Sequence, residues 1–322
     1  MNPDTKLPDH ILNLIKSLSG AEKDAITRQY IADKAELNIL DDENSDPIGD
    51  EIHSPINGII HRYPDRVLFK VSNVCDAYCR YCFRRDMVGV GFAYLSEDDF
   101  NRAIEYIKAQ KQVWEVILSG GDPLILSARH LSKIFDALDE IEHVKIIRIH
   151  TRIPVSNPLK INDTLLSVFK SSSKAVHIVL HVNHEAEITD DVRAIIFKFR
   201  QSNCSILSQS VLLNGVNDDA NTLESLFKKL ISMHVKPYYL HHLDRAKGTS
   251  HFRVSIKRGQ EIMKELQGRV SGICLPKYML DIPHGHGKIP IDAPYINIPN
   301  DDGKYCVEDY KGGKHSYNDY SD

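Results

Sequence analysis

Short apolar runs separated by amphipathic segments recur along residues 66–241, and this alternation restricts the fold more than any single residue does. The runs lie at 66–72 (RVLFKVS), 114–119 (WEVILS), 145–150 (KIIRIH), 175–181 (AVHIVLH), 205–210 (SILSQS) and 236–241 (KPYYLH). Between them, segments 97–109, 127–141, 161–171, 189–201 and 218–233 carry helical spacing. Several open on a residue suited to capping a helix, such as Ser96, Ser127 or Thr189. Strand starts recur about every 30 residues, the length of a βαβ unit. Six such units with continuous apolar strands predict an α/β fold with a parallel sheet, either curved into a partial barrel or open. Residues 9–38 read as two helices, with Ile11, Leu12, Leu14, Ile15 and Leu18 in helical spacing and Gly20 between them. A polar connector follows at 41–55, and residues 303–319 read as a hairpin around Gly312-Gly313. The expected division is therefore an N-terminal helical segment (1–45), the main α/β domain (46–298) and a short β extension (299–322).

In parallel sheets of this kind, chemistry gathers at the carboxyl ends of the strands. The polar clusters of this chain fall there: Cys75 after the first run, SGGDP (119–123), HTR (150–152), HVNHE (181–185), SQS (208–210) and HHLD (241–244). Any one of these loops has a plain reading, since Gly-Gly and Asp-Pro are ordinary turn formers. The densest is NVCDAYCRYCFRR (73–85), which places three of the chain's six cysteines in a C-x3-C-x2-C pattern beside three arginines. Structural zinc sites usually bring C-x2-C pairs and a fourth protein ligand, so three thiolates leave a position open. Six cysteines in 322 residues make no disulfide framework, which suits a reducing compartment. The polar amino terminus, the lack of an 18-residue apolar window and a net charge of −4 point to the cytoplasm, with neither membrane nor nucleic acid as partner.

With Cys75, Cys79 and Cys82 directly after the first strand and a Gly-Gly-acid loop after the second, the chain resembles radical S-adenosylmethionine enzymes. The resemblance extends to the lysine 2,3-aminomutase family over roughly residues 45 to 300. It is carried by SPINGIIHRYPDRVL, CRYCFRR, LSGGDPL, IRIHTRIPV, NHEAEIT, QSVLLNGVND, PYYLHHLD, HFRVS and HGKIPI, in that order. It implies a partial (β/α)6 barrel that binds a [4Fe–4S] cluster, S-adenosylmethionine and pyridoxal phosphate. Amino migration between C2 and C3 of L-lysine would start from a 5′-deoxyadenosyl radical.

The resemblance also assigns residues. Cys75, Cys79 and Cys82 become the cluster ligands, in place of a zinc site or buried thiols. Ser119, Gly120, Gly121 and Asp122 would meet S-adenosylmethionine, with the carboxylate complementing its ammonium, and His181 and Gln209 would lie nearby. Core roles for that histidine and glutamine stay open. Lys288, in DIPHGHGKIP, would carry pyridoxal phosphate through its amine, with Gly285 and Gly287 letting the loop move. Arg62, Tyr63 and Arg66 would hold the phosphate, the alternative being ordinary surface. Arg84 would hold the substrate carboxylate, and Asp244 with Asp281 the distal ammonium, so that glutamate is disfavoured and arginine is not excluded.

An electron donor such as flavodoxin or ferredoxin is implied as well. A homo-oligomer stays open, because the amino-terminal region is short. The tail's single cysteine, Cys306, argues against the zinc cluster of the clostridial-type members. The branch that makes β-lysine for elongation factor P shares PYYLHHLD but generally lacks the acid at Asp281. An iron–sulfur electron carrier, from outside the family, would need neither Lys288 nor the paired aspartates.

Overall fold

The computed structural model describes residues 7–89, 94–296 and 304–318. Two helices, α1 (Asp9–Ser17) and α2 (Gly20–Tyr30), precede an antiparallel pair, β1 (Ile59–Tyr63) and β2 (Arg66–Ser72). The chain then alternates through α3 (Glu97–Ala109), β3 (Glu115–Gly120), α4 (Ala128–Asp139) and β4 (Ile146–Thr151). After the single turn α5 (Ile153–Ser156) come α6 (Asp163–Ser171), β5 (Ala175–His181), α7 (Asp190–Gln201) and β6 (Ser205–Val211). The run ends with α8 (Ala220–Ser232), β7 (Lys236–His241), α9 (Ile256–Leu266), β8 (Lys277–Ile282) and β9 (Gly287–Pro290). The expected caps are present, since the side chains of Ser96, Ser127 and Thr189 accept from the backbone N–H of Asp99, His130 and Val192.

The nine strands form one sheet in sequence order, parallel from β2 to β8, with β1 and β9 antiparallel at its ends. The six predicted strands are β2 to β7, and β8 adds a seventh parallel strand. The Tyr63 hydroxyl of β1 accepts from Lys288 N of β9 at 2.8 Å, so the sheet curls until its two ends meet. The result is a nearly closed barrel.

Side chains alternate along each strand, which divides the barrel into a dry outside layer and a polar inside. On β4, Ile147 and Ile149 are fully buried in the main hydrophobic core. Arg148 and His150 lie on the opposite face. Outside, Phe135, Phe169 and Phe199 link α4, α6 and α7 with ring centroids 5.6 and 6.1 Å apart. Burying each such ring stabilises the helical layer by about 1.5–3 kcal/mol.

The amino-terminal helices pack on the loop after β2. Ile11, Leu14, Ile26 and Tyr30 form a small core with Ala77, and Arg80 N donates to Gln29 O at 2.9 Å. Gly20, expected between the helices, is the first residue of α2. Strands β10 (Lys304–Glu308) and β11 (Lys314–Asn318) make a separate hairpin. Of the tail read as a β extension, residues 299–303 and 319–322 lie outside the described residues. Among the described residues, no helix is long and apolar enough to cross a membrane.

Candidate active site

The three cysteines share one half-buried loop at the carboxyl end of β2. Burial pushes the Cys75 thiol well up, and the charges of Asp122, Cys82 and Cys79 push it further. Cys82 is raised to about 12 by burial and then by Cys79. Thiolates so close together would repel, so these partly buried thiols stay protonated until a cationic centre joins them. Among the described residues no three His, Cys, Asp or Glu side chains are placed to hold one metal ion. A cuboidal cluster asks for a different arrangement, because each thiolate takes its own iron, and an all-thiolate donor set suits it.

The Gly-Gly loop is the shelf under the cysteine loop. Gly121 N donates to Ser72 O at 2.6 Å and Asp122 N to Val74 O at 2.9 Å. A Cβ on Gly120, whose φ is +115°, would stand 2.2 Å from Ser72 O, and one on Gly121 would stand 2.2 Å from Val74 O. Only glycine lets the two backbones come this close.

The structure corrects the expectation for Asp122. Its buried carboxylate accepts from Leu124 N (3.0 Å) and Thr151 Oγ1 (2.7 Å) on one oxygen, and from Arg152 N (2.7 Å) and Ile153 N (3.1 Å) on the other. A carboxylate has about four lone-pair positions, and these donors fill them. Asp122 therefore ties the end of β3 to the end of β4 rather than waiting for a ligand's ammonium. Asp122→Asn turns an amide donor onto backbone donors and leaves buried groups unpaired, at about 1–3 kcal/mol each. The melting temperature should fall, while affinity for S-adenosylmethionine, measured by calorimetry, should be retained.

His181 and Gln209 are register partners at the ends of β5 and β6. The His181 ring stacks on Tyr81, with Nε2 3.1 Å from its hydroxyl. Burial, and then the Arg152 charge, lower the His181 pKa to about 3, so the ring is neutral.

Deeper in the barrel, the predicted substrate residues converge in a chain of alternating charges. Arg84 Nε and Nη2 donate to Asp50 Oδ2 at 2.9 and 2.8 Å, and Arg84 Nη1 donates to Ser119 Oγ at 3.3 Å. Arg62 bridges Asp50 (3.3 Å) to Asp281 (3.4 Å), and Asp281 forms an ion pair with Lys288. Lys288 and Asp281 stand directly opposite each other on β9 and β8, so strand register fixes that pair. Asp244 joins the group through its charge interaction with Lys288, and burial raises its pKa to about 6. Burial, with help from Arg62 and Arg84 and against Asp244 and Asp50, lowers the Lys288 pKa to about 8.

The sequence does not single out Asp50, because the acidic stretch 41–55 reads as a linker. Arg85 is structural, pairing with Glu36 at 2.6 Å and donating to Arg80 O and Gly248 O at 3.1 Å. Arg66 sits on the rim, 2.5 Å from Asp65, with its guanidinium 3.9 Å from the centre of the Tyr63 ring. The loop carrying Lys288 is clamped, since His53 Nε2 lies 2.8 Å from Gly285 O. At its φ of +84°, Gly285 fits under His53 only without a side chain.

The residues present fit pyridoxal phosphate. Lys288 is an amine of lowered pKa, and the buried nitrogens Arg62 Nε and His150 Nε2 have no hydrogen-bond partner. Arg148, Arg84 and Lys288 interact with His150 through charge, so the interior holds cations suited to a phosphate.

Residues 69–226 match the family model of the radical SAM superfamily. The chain is 40% identical over 300 residues to the L-lysine 2,3-aminomutase of Methanococcus maripaludis, covering 93% of this chain and 69% of that protein. It is 37% identical to the L-lysine 2,3-aminomutase of Escherichia coli, covering 85% and 79%. The glutamate 2,3-aminomutase of Clostridioides difficile is also 37% identical, over 79% of this chain and 60% of that protein. A solved structure, native anSMEcpe with bound AdoMet and Cp18Cys peptide, shares the fold at a TM-score of 0.50 and 14% identity, over 63% and 59% of the two chains. The chain belongs to the lysine 2,3-aminomutase family of radical S-adenosylmethionine enzymes.

Proposed function

We propose that this chain converts L-lysine to β-lysine by moving the amino group from C2 to C3. The observation that carries the reading is the ion pair of Asp281 with Lys288, with Asp244 and Arg84 both close enough to act on Lys288 through their charge. Bound cofactors supply the radical and the carrier for the migrating nitrogen; the protein supplies position, charge and dryness.

Cys75, Cys79 and Cys82 hold the cluster, on a loop supported by Gly120 and Gly121. Ser119, His181 and Gln209 lie at strand ends where S-adenosylmethionine would reach the cluster. Lys288 would carry pyridoxal phosphate, with Arg62 and Tyr63 on the phosphate side, while Arg66, paired with Asp65 at the start of β2, stays apart from it. Arg84, kept in place by Asp50, receives the substrate carboxylate. Asp281 pairs with Lys288 while that amine is free. With Lys288 holding the cofactor, Asp281 would keep Arg62 but the pair Asp281 and Asp244 would face one cation fewer, and the ε-ammonium of lysine would complement them. A glutamate side chain would add a third negative charge there, so it is rejected.

The test is anaerobic reconstitution with iron, sulfide and pyridoxal phosphate, then S-adenosylmethionine, dithionite and an amino acid, with products separated by mass spectrometry. β-Lysine supports the reading. Full cluster content with turnover of arginine and none of lysine would overturn it.

Asp281→Ala should lower kcat/KM for lysine by about 10- to 150-fold, equivalent to a charge-assisted hydrogen bond of about 1.5–3 kcal/mol. The pH profile carries a second expectation. Asp244 must be ionised to hold an ammonium, and its pKa of about 6 belongs to the free protein. Thus kcat/KM should fall as pH drops through about 6, by about tenfold per unit below it. In Asp244→Asn that acid limb should disappear.

A further inference from the structure

Arg152 follows β4 and is only 6% exposed, yet none of the roles above uses its side chain. Its Nη1 lies 3.2 Å from Cys79 Sγ and also meets the Tyr81 hydroxyl. The other nitrogens are held: Nε by Tyr30 Oη at 2.7 Å, and Nη2 by Gln29 Oε1 at 2.8 Å and by the carboxylate of Glu187. Glu187 is fully buried, and its second oxygen accepts from Asn183 N and His184 N at 2.8 and 2.9 Å. The cage is built from α2, the cysteine loop, the end of β4 and the loop after β5. It leaves the guanidinium one direction, toward the sulfur.

We propose that Arg152 is the positioning residue that sets the reduction potential of the cluster, by donating a hydrogen bond to the Cys79 sulfur. This rests on Cys75, Cys79 and Cys82 holding that cluster. On reduction the cluster takes one electron from a low-potential donor, dithionite in the titration below. No bond is made or broken, and Arg152 keeps its protons. The added negative charge spreads onto the sulfurs, so a fixed N–H aimed at one of them favours the reduced form and raises the potential. Low polarity around the pair strengthens the effect. Glu187 opposes it through its own charge while fixing the guanidinium in place. Exchanging the two residues therefore has opposite signs, which a purely structural role would not produce.

The experiment is an EPR-monitored dithionite titration of the full chain reconstituted with iron and sulfide, with metal content measured on each sample. The double variant Arg152→Met/Glu187→Gln removes both charges together and avoids a stranded buried ion. Because Arg152 touches the sulfur and Glu187 acts only from behind it, the arginine's loss outweighs the glutamate's, and the midpoint should shift down by the equivalent of a tenfold or greater change in the reduced-to-oxidised ratio, about 59 mV for one electron. Glu187→Gln alone should shift it up. Unchanged midpoints in variants with full metal content overturn the inference. Should the Arg152 variant not retain iron, Glu187→Gln alone decides, an upward shift supporting the proposal and an unchanged midpoint overturning it. A parent protein that takes up no iron or shows no cluster signal would instead overturn the assignment of the cysteines.

Discussion

Lys288→Ala should abolish β-lysine formation, by on the order of 10³-fold or more, the scale expected when the residue that bonds a reaction partner is removed. The fold should survive, because Asp281 keeps Arg62 as its cation and the β8–β9 pairing depends on backbone hydrogen bonds. The variant should also lose the absorbance of bound pyridoxal phosphate after gel filtration, whereas an unfolded variant would lose its cluster too. In the parent, the pKa of about 8 makes roughly half of the Lys288 amines neutral at pH 8. An ordinary lysine would be about 0.4% neutral there. Cofactor capture should accordingly rise about tenfold per pH unit up to about 8 and level off above it. A rise that continued to pH 10 would place the reacting amine elsewhere.

Gly121→Ala should cost the protein its cluster without touching a ligand. The added methyl would meet Val74 O at 2.2 Å, Val74 C at 2.6 Å and Val74 N at 2.7 Å, all of them backbone atoms one residue before Cys75. Overpacking usually costs about 1–3 kcal/mol, and backbone that cannot rotate aside puts this site at the upper end. The loop must move away from its shelf, carrying Cys75 with it. Iron per chain after reconstitution should fall well below the parent value, and the melting temperature should drop by several degrees. Full iron content in this variant would show that the shelf does not position the cysteines.

The strands and the cysteine loop were readable because their signals are local. Runs 66–72, 175–181 and 236–241 coincide with β2, β5 and β7, since apolar continuity and spacing are properties of neighbouring residues. Strand β8 escaped because KYMLDI follows β7 only after a long excursion through α9 and runs straight into Pro283. Asp50, Arg152 and Glu187 were hidden for another reason. Each acts through partners far along the chain: Arg84 for Asp50, Cys79 for Arg152, and Tyr30 for Glu187. Nothing in a stretch such as DPIGDEIH or HEAEIT announces such a partner. Asp122 shows the converse. Its motif was recognised, but the four donors around its carboxylate come from the turn after it and from β4, and only the folded chain shows that they fill it.

The seam between the first and last strands has a consequence for how the protein is made. Arg62 to Asp281, Tyr63 to Lys288 and His53 to Gly285 join residues 219, 225 and 232 positions apart. At about 5–20 residues per second, a ribosome needs roughly 10–45 s to cover that distance. The cysteines and the first strands therefore emerge well before the hairpin that carries Lys288. The half of the site proposed to hold the cluster can be in place while the half proposed to hold pyridoxal phosphate is still unsynthesised. Closing the seam joins the most distant strands of the sheet, and by the usual relation of contact order to rate it should be slow.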